Sequence, residues 1–266
     1  MADELHAFLD LYKEYGANIS YSNVSETIAV KHFIEDTSRI LFLTHPLSPA
    51  QKENVKNIHG DLIETIIAYD GIVAVVHPKN PITQLTTTEI KNILSGSATH
   101  WNDLTNGKRT KGEIKIYLQD SSEISDYLAK RLHLQLTGKF LKTSSEIQTL
   151  NSVLHDPLAI GFVTSAWLDS TKSTVKVLEL GKTREDADTS FTAQDKTDGK
   201  YFSPHPAYLY RSDYPLKRAL YMYTYTVGDL ANGFSAFVAS SQGQKLLLQR
   251  GILPGTQKIH LNIPGE

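Results

Sequence analysis

Short β-branched runs alternate with helix-like segments along this chain, and that alternation limits its folds more than any other feature. RILFLTHPL reads as a buried strand stopped by Pro46. ETIIAYDGIVAVVHP holds two β-branched runs parted by Asp70-Gly71 and closed by Pro78. IKIYL, LAIGFVTSAWL, STVKVLEL and ALYMYTYTV supply further strands, and ANISYSNV alternates as another near the start. Helices fit between them. Leu5, Phe8, Leu9 and Leu11 form an early stripe ending at Gly16, and Ser25 can cap a helix over ETIAVKHFIED. Thr86 and Glu89 have capping-box spacing, with Ile90, Ile93 and Leu94 as the apolar face and Gly96 as the stop. Further helices fit SDYLAKRLHLQL, SEIQTLNSVLHD and FSAFVASSQGQKLLLQRG, while the polar text from Gly181 to about Ser203 reads as a surface loop. Alternation of this kind predicts an α/β protein with mainly parallel sheets.

The chain length of 266 residues allows two lobes, each able to bury a core. Crossovers near Tyr69–Pro78 and Ala207–Tyr221 divide it into a discontinuous lobe one, 1–72 and 217–266, and a lobe two, 73–216. A cleft between such lobes, at helix N-termini, is where α/β sheets bind ligands.

Charge and composition remove several function classes. Lys and Arg number 27 against 29 Asp and Glu, a formal charge of -2, so no basic excess argues for nucleic acid. No apolar run reaches the ~20 residues of a membrane span, which argues against direct membrane insertion. Cysteine is absent, which excludes disulfides, thiol nucleophiles and thiolate metal sites. The ten histidines form no H-x-x-x-H or HE-x-x-H pair, so no metal is expected. No G-x-S-x-G elbow or P-loop appears, and no cofactor or catalytic set is expected.

Four ordered blocks then carry a resemblance. YDGIVAVVHPKNPITQLTTTEIKNILSGSATHWNDL, LAIGFVTSAWL, YPLKRALYMYTY and FSAFVASSQGQKLLLQRGILP are similar to segments of the phosphate-binding proteins of bacterial ABC transporters, in the type II periplasmic-binding-protein superfamily. The resemblance implies a two-lobed α/β fold with a central cleft, a non-enzymatic solute-binding role, a membrane permease as partner, and a place outside the cytoplasmic membrane. It also implies where a ligand would sit. Gln119 falls at the family's Arg, and Ser121, Ser122 and Glu123 fall in the turn that follows. Ser25, Glu26 and Thr27 replace a glycine-rich loop, Thr44 and His45 fall where the family has Asp or Arg, and Asp70 belongs to its DG element. The family's first strand, with its Ser/Thr anion loop, has no counterpart, and residue 1 falls inside the helix that would follow. The sheet edge left open is expected to admit a partner strand.

These positions change the expected ligand. Arg offers a permanently charged planar fork to phosphate, whereas Gln119 offers a neutral amide. Glu26 and Glu123 add negative charge, and two like charges at ~4 Å repel by about 4 kcal/mol at an effective dielectric near 20. A helix N-terminus returns only about 0.3–1 kcal/mol, occasionally about 2. Phosphate specificity is therefore expected to be altered or lost, in favour of a neutral or cationic solute or an oxyanion carrying its own proton. Simple helix capping accounts equally for Ser25, Glu26 and Thr27, and also for Ser121 and Ser122. If capping is their whole role, the alternative is a binding-protein fold reused as a sensor or interaction module. An acid–base enzyme built on Glu26 and Glu123 has no substrate-orienting residues in the sequence.

Overall fold

A computed structural model describes residues 24–105, 111–119, 123–166, 174–183, 199–225, 229–249 and 252–257, together with 10, 13, 20–22 and 168. In chain order its elements are α1 (Glu26–Ile34), β1 (Ile40–Leu43), α2 (Pro49–His59), β2 (Leu62–Val76), β3 (Gln84–Thr86) and α3 (Thr87–Ser95). There follow β4 (Lys115–Gln119), α4 (Glu123–Arg131), β5 (Phe140–Thr143), α5 (Glu146–His155), β6 (Ala159–Thr164), β7 (Lys176–Val177) and β8 (Glu179–Gly181). The chain closes with α6 (Pro206–Tyr210), β9 (Lys217–Tyr225), α7 (Asp229–Ala239), α8 (Ser241–Gln249) and β10 (Leu253–Pro254). Two compact units result: Met1–Asp70 with Arg218–His260, and Gly71–Lys217 with Leu261–Glu266.

In the first unit β9 lies between β1 and β2. It pairs antiparallel with β1, from Ile40↔Thr224 to Leu43↔Tyr221. β10 pairs with β2 through Leu253↔Tyr69, and the Gly255 N–H donates to the Ile67 carbonyl at 2.9 Å. A Cβ at Gly255 would stand 2.4 Å from the Ile66 oxygen, so only glycine permits that close approach. Phe33 and Val30 of α1 pack on Leu41, Leu43, Tyr223 and Tyr225, and this apolar face holds the helix to the sheet.

The second unit is built around β6, buried at all six positions. β6 pairs antiparallel with Ile72–Val76 of β2 and parallel with β4, which in turn is parallel to β5. β3 and β8 form a separate parallel pair. The Thr86–Glu89 capping box opens α3, and Gly96, at φ 76°, ends it in the left-handed conformation. Trp101 is fully buried, and its indole N–H donates to the Leu158 carbonyl at 3.0 Å.

Several expectations change here. The sheets are mixed rather than mainly parallel, because β2 takes antiparallel neighbours in both units. Asp70-Gly71 does not break β2, which runs through all 15 residues. The alternating text near Ser20 is irregular and exposed at 20–22 and 24–25. α2 is an additional helix, opened by Ser48, Pro49 and Gln51. The segment 173–180 carries two short strands, β7 and β8, and Gly181 ends β8 rather than beginning a loop. The single expected C-terminal helix is two, since Ser240 breaks the ladder and a Cβ at Gly243 would meet the Phe237 oxygen at 2.4 Å. The early helix lies outside the described residues except for Asp10 and Lys13, which are helical, and most of the polar stretch after Gly181 also lies outside them. None of the described helices is long and apolar enough to cross a membrane.

Candidate functional site

Ser25 stands at the N-cap of α1 with φ -60° and ψ 151°, the backbone a capping residue needs, yet its side chain makes no capping hydrogen bond. The position three residues on is Ile28, which has no polar group to return to the cap and is 44% exposed. The first intrahelical bond runs from the Ala29 N–H to the Ser25 carbonyl at 2.9 Å. The N–H groups of Glu26, Thr27 and Ile28 thus lie outside the helical ladder, and among the described residues no acceptor meets them. Thr27 is exposed, and with Glu26, Val30, Lys31 and Gln51 it lines a shallow groove between α1 and α2.

β1 delivers Thr44 and His45 to this end of α1. Thr44 is buried, and His45 is half-buried beside it. One ring nitrogen of His45, Nε2, lies 2.7 Å from Glu26 Oε2, and the other, Nδ1, lies 3.2 Å from the Pro46 carbonyl oxygen. Glu26 therefore has a side-chain partner, which its position in the sequence does not suggest. A partner 19 residues away covers it, and local text gives no sign of that contact.

The other expected residues are placed as follows. Asp70 is buried in a bidentate ion pair, with Arg218 Nε at 3.0 Å from Oδ1 and Nη2 at 2.7 Å from Oδ2. A ligand would have to displace a guanidinium to reach that carboxylate. Breaking such a buried pair costs about 3–5 kcal/mol. In the second unit Gln119 ends β4 in register with Thr143, and Glu123 begins α4 with its side chain exposed. Ser121 and Ser122 lie outside the described residues.

In the first unit, then, an unclosed helix start below a strand end presents backbone donors to an acceptor from outside the helix. The chain belongs to the PBP superfamily domain family, whose profile matches residues 4–242. It is 27% identical over 191 residues to the phosphate-binding protein PstS of Staphylococcus saprophyticus, covering 70% of this chain and 58% of that protein. It thus spans about three-fifths of the length of that relative. Among solved structures, an ABC-type phosphate transport receptor from Vibrio cholerae superposes with a TM-score of 0.72 at 18% identity, covering 95% of each chain. PstS from Borrelia burgdorferi gives 0.64 at 18%, covering 95% of this chain and 94% of that one.

Proposed function

We propose that this chain is a non-enzymatic solute-binding component of an ABC-type uptake system. It would work outside the cytoplasmic membrane with a membrane permease, and its specificity would be altered from that of the phosphate-binding relatives. The observation that carries the reading is the start of α1, where Ser25 and three backbone N–H groups stand ready for an acceptor from outside the helix. The solute is an oxyanion or another small molecule rich in acceptor oxygens, held by hydroxyl and backbone donors. In the second unit, Gln119 and the start of α4 are the corresponding candidates.

A thermal-shift screen with phosphate, sulfate, molybdate and small neutral metabolites tests this directly. A true ligand at 100 times its Kd adds about 2.7 kcal/mol to stability. Ser25→Ala should remove most of that gain without lowering the melting temperature of the free protein. No shift with any ligand would instead favour the second reading, a sensor or protein-interaction module. That alternative draws support from β1, whose one described strand neighbour is β9, leaving an edge of the kind that accepts a partner strand. Sedimentation at increasing concentration would register self-pairing through that edge.

A further inference from the structure

We propose that Lys217 is a site of covalent acylation, with Lys182 supplying the positive charge that receives an anionic acyl donor. The proposal stands apart from the solute-binding reading above and concerns the second unit alone. Two lysines converge there on one residue. Lys182 Nζ donates to the Ser212 carbonyl at 2.9 Å, and Lys217 Nζ donates to the Ser212 hydroxyl at 3.2 Å. Ser212 is a fixed meeting point. It takes the left-handed conformation at φ 60°, and its N–H donates to the Leu209 carbonyl at 3.2 Å. The next N–H, of Asp213, donates to the Tyr208 carbonyl at 2.9 Å.

Lys182 is 8% exposed, an unusual place for an ammonium group. Lys217 is half-buried, but its nitrogen meets the hydroxyl of an exposed serine. The groups that reach the same segment from neighbouring elements are mainly cationic. Tyr127 of α4 donates its hydroxyl to the Lys217 carbonyl at 2.7 Å, and Arg131 Nε donates to the Pro215 carbonyl at 3.1 Å. Arg211 Nε lies 2.7 Å from Asp213 Oδ2, so the carboxylate beside Ser212 is already matched.

A lysine acts as a nucleophile once it has given up its proton. Burial pushes the Lys217 amine below its usual value, so more of it is neutral near neutral pH than of an exposed lysine. Positive surroundings favour a donor whose leaving group is an anion, and an acyl phosphate is the class that fits. The neutral amine adds to the acyl carbon, the bond from that carbon to the phosphate oxygen breaks, and its electron pair leaves with the phosphate. The surplus proton on nitrogen passes to water. An amide and inorganic phosphate result.

Two reagents on the full chain test this near neutral pH, with labelling followed lysine by lysine by mass spectrometry. One is acetyl phosphate, and the other is the uncharged N-hydroxysuccinimide ester of acetic acid. Lys31, exposed on α1, is the reference. With the ester Lys217 should react about threefold faster than Lys31, and with acetyl phosphate about tenfold faster. Lys182→Gln should remove the additional factor for acetyl phosphate and leave the ester ratio as it was. A Lys217 no faster than Lys31, equal ratios for the two reagents, or an unchanged acetyl phosphate ratio in folded Lys182→Gln would each overturn the proposal. A competition in the wild type holds whatever that variant does to folding. Sulfate, compared with chloride at matched ionic strength, should slow acetylation of Lys217 by acetyl phosphate severalfold and spare labelling by the ester. Acetyl phosphate labelling that sulfate leaves untouched overturns the proposal on its own.

Discussion

Two helix starts in this protein use nearly the same residue types to opposite ends. At α3, Thr86 Oγ1 accepts from the Glu89 N–H at 3.1 Å while Glu89 Oε2 accepts from the Thr86 N–H at 2.8 Å and from its hydroxyl at 3.0 Å. Glu89 Oε1 takes the Thr105 N–H at 2.9 Å as well, and the residue is buried. At α1 the glutamate stands directly after the cap instead of three places on, and turns to His45. A carboxylate at the third position can close the helix on itself, whereas one at the first position cannot reach back to the cap and leaves the closing to the cap side chain alone. α2 and α5 follow α3, with Ser48 and Ser145 accepting from the N–H groups of Gln51 and Gln148. Among the helices whose Ser or Thr cap residue is described, the one without a side-chain capping bond is α1.

The largest test of this contrast is Glu89→Ala. It removes the acceptor of the half-buried Thr86 N–H and of the exposed Thr105 N–H and empties a buried carboxylate site, and urea denaturation should show a loss of about 1–3 kcal/mol. Ser48→Ala should cost about 1 kcal/mol by the same measurement, the ordinary value of a working cap. A third test concerns a carboxylate of the same unit whose charge is structural. Burial alone would raise the Glu64 pKa, but hydrogen bonds from Lys52 and Tyr223 outweigh it and hold the carboxyl below its usual value. Its contribution is complete above the unfolded-state pKa and is lost as pH falls through the folded-state value. Glu64→Gln should therefore lower stability at neutral pH by at most about 1 kcal/mol, since the pair is a third exposed, and converge with wild type in acid. The smallest effect belongs to Ser25→Ala, within about 0.5 kcal/mol of wild type. A loss there as large as at Ser48 would show that Ser25 caps its helix after all and would erase the contrast.

What could be read from the text follows the range of the interactions concerned. The Thr86–Glu89 box and the Gly96 stop are local, and both are found where the spacing puts them. The Ser48–Gln51 box has the same spacing and was equally open to reading, yet its Pro49 sits close behind the Pro46 strand stop and hides a helix start. Asp70-Gly71 looks like a turn, but the ion pair that holds Asp70 inside β2 comes from Arg218, 148 residues away. The sheet directions escaped for the same reason, since β9 and β10 return from the far end of the chain to pair with β1 and β2. At the candidate site, Ser25, Glu26 and Thr27 were legible as a helix start. Their open state was not, because the backbone angles at Ser25 are those of a working cap and the Glu26 partner, His45, lies 19 residues away.

β10 is only two residues long, but its place has a practical consequence. By lying along Ala68 and Tyr69 it shields backbone donors and acceptors of β2 that would otherwise be offered to any extended peptide. Trimming the chain before Leu253, or enlarging Gly255 so that this short strand lifts away, should yield a protein that clumps during purification even though the rest of its sequence is untouched.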